Sequence, residues 1–343
     1  MRILACPRCL APLVCEVRER DAEGEVLAGD LICNRCAQRF PILRGIPRFV
    51  AAENYAASFG LQWNEFRLEQ IDSANHTGLS AQRFYSETGW TPEWMAGKWL
   101  MDAGCGAGRF VEVASRSSAQ VVAVDLSDAV DAARQTLAYP HLPKAGRCGT
   151  SRKNVHFVQA SLFELPFRRE SFDGCYCLGV LQHTPDPARA VKEIAKVVAP
   201  GGRLAFTVYE RRPWTRWCGK YLVRPITTRV KRERLLRAIK LLMPLLFPVT
   251  EVLFRVPYLG RVFRFAIPVA NYVDKPELSF RQRYRWAILD TFDALSPAHD
   301  LPQTQAELEA ALAEASVGSV RRLPGPALTM VGEKRGAAAA RVP

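Results

Sequence analysis

Between residues 98 and 209 short apolar runs rich in β-branched residues alternate with longer amphipathic stretches. The runs Trp99–Asp102, Gln120–Asp125, Val155–Ala160, Gly174–Leu178 and Arg203–Tyr209 read as strands. Gly108–Ser118, Asp128–Ala138 and Pro187–Val198 read as the helices between them. Strand–helix alternation of this kind predicts βαβ units and a doubly wound parallel sheet. Val121-Val122-Ala123-Val124 has no polar alternation, as expected of a strand buried on both faces. Further on, Gln305–Ala315 has a helical pattern. Val317–Arg322 and Ala327–Glu333 predict an antiparallel hairpin around Pro324-Gly325-Pro326.

The flanks divide the rest. Residues 1–50 hold two cysteine pairs and turn-rich connections. Residues 51–97 read as a helical N-terminal cap containing Trp, Phe and Tyr. Residues 98–209 with 286–335 form the α/β core, and 210–285 form a basic, apolar, mainly helical insertion. Pro244, Pro248, Pro257 and Pro268 are expected to break any long helix in that insertion. The run Gly336–Ala340 reads as a frayed end.

Composition sharpens this picture in two places. Of 343 residues, 48% are hydrophobic and 24% charged, which excludes disordered, collagen-like and coiled-coil classes. The net charge is +13, yet residues 211–285 alone hold 18 Lys and Arg against four acids. The basic character is therefore a localised surface. Three readings of it stand: a helical cap on the core, contact with an anionic membrane, or a grip on nucleic acid, with Trp214, Trp217 and Tyr221 suiting the last two. No run of apolar residues is long enough for a plain membrane span, and Met1–Pro7 lacks an apolar h-region. A cytoplasmic protein is expected, with peripheral membrane contact as one of the three readings of its basic surface.

Candidate chemistry lies at two places. Leu100-Met101-Asp102-Ala103-Gly104-Cys105-Gly106-Ala107-Gly108-Arg109 follows the first strand and opens a helix, where ligands bind in doubly wound sheets. The G-x-G-x-G spacing differs from the G-x-G-x-x-G of dinucleotide sites. Asp102 at the strand end would repel a pyrophosphate but suits a cationic ligand. Asp125 ends the next strand, where a carboxylate can accept both hydroxyls of a ribose.

The second place is Cys6-Pro7-Arg8-Cys9 with Cys33-Asn34-Arg35-Cys36. Two C-x2-C pairs match a tetrahedral zinc site, structural because Cys6, Cys9, Cys33 and Cys36 fill all four positions. Reactive dithiols or disulfides are the alternative. Cys15 is a spare thiol, and Cys105, Cys148, Cys175, Cys177 and Cys218 are expected only to pack.

Asp102–Arg109 resembles motif I of class I S-adenosylmethionine-dependent methyltransferases (type 11 methyltransferase domain). Further matches follow in order: Val124-Asp125-Leu126-Ser127; Phe157–Leu162 with Leu165-Pro166-Phe167; Ser171-Phe172-Asp173-Gly174 with Leu178–Pro187; and the Pro200-Gly201-Gly202 turn before the fifth strand. Phe40–Pro47 with the four cysteines resembles a Trm112-like zinc ribbon.

The resemblance implies a Rossmann-like seven-stranded fold and S-adenosylmethionine as cofactor. It implies that the backbone at Gly104 and Gly106 faces the methionine part and Asp102 its ammonium. Asp125 would take the ribose, Leu126 would pack on adenine, and Ser161 and Leu162 would lie at the adenine edge. Many relatives carry Asp where this chain has Ser161, a weaker partner for the adenine amine. His183, after the fourth strand, is the candidate base; a purely structural role is the alternative. Trp63 or Phe59 is a candidate lid over the sulfonium by cation–π contact, with plain packing the alternative.

The implied activity is C- or O-methylation of a small-molecule or lipid-like acceptor. The first alternative is an RNA base methyltransferase using the ribbon and the insertion to hold RNA. The second is a non-enzymatic binding protein that retains the fold. No Asn/Asp-Pro-Pro-Tyr/Phe signature of amino-group methylation occurs.

Overall fold

The computed structural model describes residues 3–51, 54–138 and 154–336. Cys148 and residues 337–340 of the expected frayed end lie outside them. The chain opens with a four-stranded antiparallel meander: β1 Leu13–Arg20, β2 Val26–Cys33, β3 Arg39–Leu43 and β4 Ile46–Pro47. Four helices follow, α1 Ala57–Glu65, α2 Asp72–Asn75, α3 Leu79–Thr88 and α4 Pro92–Met95.

The core then alternates β5 Trp99–Ala103, α5 Arg109–Ala114, β6 Gln120–Asp125, α6 Ala129–Leu137, β7 Val155–Gln159, β8 Phe172–Leu178, α7 Pro187–Val197 and β9 Val198–Val208. Four helices, α8 Gly219–Thr227, α9 Arg232–Leu253, α10 Leu259–Ala266 and α11 Phe280–Leu295, precede α12 Gln305–Glu314 and the hairpin β10 Val317–Leu323 and β11 Leu328–Lys334.

Among the described residues, the large sheet has seven strands in the order β10-β11-β9-β8-β5-β6-β7. The five strands β5 to β9 run parallel, and β11 is antiparallel to both neighbours. Its period-2 alternation sends Met101, Val122 and Phe206 to one apolar layer with α7 and α12, and Leu100, Val121, Tyr176 and Ala205 to the other with α3 and α5. Both faces are covered, as the uninterrupted apolar strands require. Local signals start the helices. Asp186 accepts the Arg189 amide ahead of Pro187 at the first turn of α7, and Thr304 with Glu307 forms a capping box on α12.

Two sequence expectations are corrected. Pro244 and Pro248 do not break α9, which runs 22 residues through both. They stand on its exposed side, so the carbonyls that lose amide partners face water. Leu235, Leu236, Ile239, Met243 and Phe247 meanwhile hold the opposite side against α11. The Pro200-Gly201-Gly202 turn does not precede the fifth strand but lies inside β9. There it forms a bulge, in which Phe172 and Gly174 of β8 face Val198 and Arg203. The expected start of the C-terminal core segment, residue 286, falls within α11, which packs on α9 and α8.

The meander does not stand apart. Ala5 donates to the Pro166 carbonyl, Arg168 to Ile3, and Phe49 to Gln159. Leu4, Cys6, Leu31, Phe40 and Ile42 belong to the same buried apolar cluster as Val122, Val124 and Val158 of the large sheet.

Candidate functional site

The turn after β5 doubles back tightly. Gly104 and Gly106 have φ of +92° and +52°, a region that side-chain-bearing residues rarely occupy. Space is equally restrictive. A Cβ on Gly104 would lie 2.5 Å from a Val180 methyl, and one on Gly106 3.0 Å from the Trp63 indole nitrogen. The loop is thus a bare-backbone cradle under Trp63. Gly106 donates its amide to Asp125 Oδ2 (2.9 Å), while Asp125 Oδ1 accepts the Ser127 amide and hydroxyl (2.8 and 2.7 Å). Burial nevertheless pushes the Asp125 carboxyl above its ordinary range.

Asp102, 2% exposed, points to the same sheet face as its β8 neighbour Tyr176. Its Oδ2 and the Tyr176 hydroxyl make no well-formed hydrogen bond among the described residues, although the two groups interact with each other. Burial, reinforced by the charge of Asp125, pushes Asp102 well above the usual carboxylate range. A buried carboxylate beside a glycine cradle suits a ligand carrying a cationic donor.

The turn after β6 is fixed from three sides. The Leu126 carbonyl accepts from Asn54 Nδ2 and Gln159 Nε2, and the Asp128 carbonyl from Asn64 Nδ2. Gln159 Oε1 in turn accepts from Arg48, whose other nitrogen meets Asp131 of α6 at 2.8 Å. Leu126 is half-buried. Ser161 is half-buried too, its hydroxyl taken by the Phe163 amide, while Leu162 lies in the apolar layer shared with the meander.

His183 is buried between the rings of Phe59 and Tyr209. Its Nδ1 lies 3.1 Å from the His299 carbonyl. A carbonyl only accepts, so Nδ1 carries the proton and Nε2 the lone pair. Burial lowers its pKa against the opposing pull of Asp293 and Asp300, so the ring is neutral.

Around it stands a polar group that sequence reasoning missed. Asp293 of α11 accepts from Gln62 Nε2 (3.0 Å) and faces the Tyr209 hydroxyl at 3.5 Å. Asp300 accepts from Lys220 Nζ (2.7 Å) and Tyr221 (3.0 Å). Asp290, one turn before Asp293, is pushed up to about 7 by burial and by Asp293, despite Arg109 and Arg83 nearby. Arg109 itself is pulled down to about 9 by burial and Arg83, and stacks over Phe110 and Trp286. The one local signal for two of these acids was their spacing: Asp290 and Asp293 lie three residues apart in a run, Trp286–Leu295, that is otherwise apolar but for Thr291.

At the other end, the four sulfurs of Cys6, Cys9, Cys33 and Cys36 lie within 4.8 Å of one another, with Cys9–Cys33 at 3.4 Å and Cys6–Cys36 at 3.6 Å. A tetrahedral ion with ~2.3 Å zinc–sulfur bonds needs sulfurs about 3.8 Å apart. The Arg35 and Cys36 amides point at Cys33 Sγ, as in a metal-binding knuckle. The cluster is compatible with zinc. Cys15 is exposed, while Cys105, Cys175 and Cys177 are buried away from the cluster.

Residues 101–206 match the family model of the methyltransferase domain, and residues 1–45 that of Trm112p-like proteins. The chain is 34% identical over 119 residues to a ubiquinone biosynthesis O-methyltransferase of Stutzerimonas stutzeri, which covers 35% of this chain and 47% of the relative. It is 32% identical over 138 residues to the O-methyltransferase resE of Aspergillus sclerotiorum, covering 40% and 49%. The chain spans about half the length of the curated relatives it matches. Among solved structures, a Haloferax volcanii complex of the Trm112 methyltransferase activator with a methyltransferase aligns at 14% identity and a TM-score of 0.44, over 84% of this chain and 100% of that one.

Proposed function

We propose that this chain is an S-adenosylmethionine-dependent methyltransferase that modifies an oxygen or carbon of a small-molecule or lipid-like acceptor. One observation carries the reading: the backbone at Gly104 and Gly106, bare of side chains of its own, lies beside two buried carboxylates, Asp102 and Asp125. A cationic nucleoside answers all three features. In this reading Asp102 takes the ammonium, the Gly104 and Gly106 backbone lies along the methionine part, and Asp125 takes the ribose hydroxyls. Leu126 packs on adenine, with Ser161 and Leu162 at its edge. The relatives' names favour oxygen as the methylated atom.

When bound, the cofactor supplies an electrophilic methyl carbon with its own leaving group. The protein's task is therefore to position and desolvate. Trp63 and Phe59 close the cradle and exclude water. His183 presents the Nε2 lone pair and takes the acceptor's proton, its tautomer held by His299. Asp293, Tyr209 and the Lys220–Asp300 pair border the acceptor. Cys6, Cys9, Cys33 and Cys36 hold a structural zinc.

Calorimetry with S-adenosylmethionine should give saturable heat, and Asp125→Ala should weaken it by roughly tenfold or more, the worth of a charged hydrogen bond. Incubation with labelled cofactor and fractionated extract should then label the small-molecule or lipid pool. Label in RNA, or no heat at millimolar cofactor, overturns the proposal.

A further inference from the structure

Helix α9 is apolar on two sides. One side, including Met243 and Phe247, is buried against α11. On the other, Leu241, Leu245, Val249 and Val252 recur at i, i+4, i+8 and i+11, a single stripe that faces outward. Leu241 is 78% exposed and Leu245 72%. The neighbouring α10 adds exposed Leu259 and Val262, with Tyr258 at its start 93% exposed. Helix α8 adds Leu222 and Ile226. Of the nineteen large apolar side chains exposed among the described residues, thirteen lie between Trp214 and Val262. Singly exposed apolar residues need no account, but a concentration of this kind marks an interaction surface.

The charge around the stripe selects the partner. Arg234 and Arg237 stand one turn apart on the outward side of α9, at the N-terminal end of the stripe, and Arg255 lies just beyond its C-terminal end. Arg229, Lys231, Arg234, Arg237 and Arg261 are exposed and form no ion pair among the described residues. A second copy would set one strongly cationic patch against another. A phosphate backbone would satisfy the arginines but leave a row of leucines and valines in water. An anionic bilayer satisfies both, because aliphatic side chains enter the acyl boundary while guanidinium groups meet headgroup phosphates. No helix among the described residues is long and apolar enough to cross a membrane, so the fit is to one leaflet.

We propose that the outward face of α8, α9 and α10 docks the protein on an anionic phospholipid surface. The inference is independent of the reaction assigned above. The full chain is sedimented with vesicles of phosphatidylglycerol and phosphatidylcholine (3:7) and with phosphatidylcholine alone. At least tenfold stronger partitioning to the anionic vesicles is expected, falling as salt rises. Leu241→Asp with Leu245→Asp should abolish it while melting temperature and heat of S-adenosylmethionine binding stay unchanged. Arg234→Glu with Arg237→Glu should remove the preference for anionic lipid. Absence of vesicle binding overturns the proposal, as does unaltered binding by the leucine variant. So does a Leu245-dependent dimer, or RNA retention that depends on the arginines, in place of vesicle binding.

Discussion

Asp290 shows what a single residue gains and loses by its place in the cap. An aspartate ordinarily titrates near 4, but here it lies against Asp293 with its carboxyl raised to about 7. A raised acid stabilises the fold only while protonated. Its contribution is complete below the unfolded value and is lost as pH climbs through the folded one. Asp290→Asn, which stays neutral, should match the parent at pH 4 and exceed it in melting stability between pH 4 and 7, levelling above. The gain should be on the order of 2 kcal/mol after allowing for the water that reaches the carboxyl. Thermal melts across pH 4–8 check this, and a difference independent of pH would contradict the assigned environment. Gly104 is the opposite case, where a residue is fixed by space. Gly104→Ala adds a methyl at positive φ and 2.5 Å from Val180, so it should cost roughly 2 kcal/mol and reduce cofactor heat.

At the scale of elements, what the sequence made legible was what is local. The glycine turn, the carboxylate ending β6, the two cysteine knuckles and the final hairpin each sit within a few residues of their own signal. The helices after β9 were opaque for a physical reason. A proline rule that governs isolated helices fails in α9 because tertiary packing of Met243 and Phe247 outweighs two lost hydrogen bonds. Asp290, Asp293, Asp300, Lys220 and Tyr209 meet only once the cap closes over the sheet, and no spacing announces that. Arg48 was equally invisible. It joins the end of the meander to α6 through Asp131 and to β7 through Gln159. Burial would raise the Asp131 carboxyl, but Arg48 and Arg44 overcome it and hold the group below its usual range. Arg48→Met should therefore leave the Asp131 carboxylate with only the exposed Arg44 as its cation and destabilise the protein by about 1–3 kcal/mol. It should also loosen the Leu126–Asp128 turn that Gln159 braces. Chemical denaturation and cofactor titration read the two effects separately.

For the molecule as a whole, the cysteine cluster and the sheet share one apolar core. Cys6 and Cys33 share an apolar layer with Val122, Val158 and Phe206, and backbone bonds from Ile3, Ala5 and Phe49 tie the meander to the segments around β7 and Phe167. A module with so little core of its own would depend on the zinc proposed for its four cysteines, and this one packs behind the turn that ends β6. Stripping the ion with a chelator, or replacing Cys33→Ser, should not melt residues 3–51 alone. Calorimetry should show one transition moved down by several degrees, with bound zinc lost in step and S-adenosylmethionine affinity reduced because Arg48 and Gln159 no longer hold the Leu126 carbonyl. Two resolved transitions, the upper at the parent's temperature, would mean that the ribbon is an appendage and that the sheet's core closes without it.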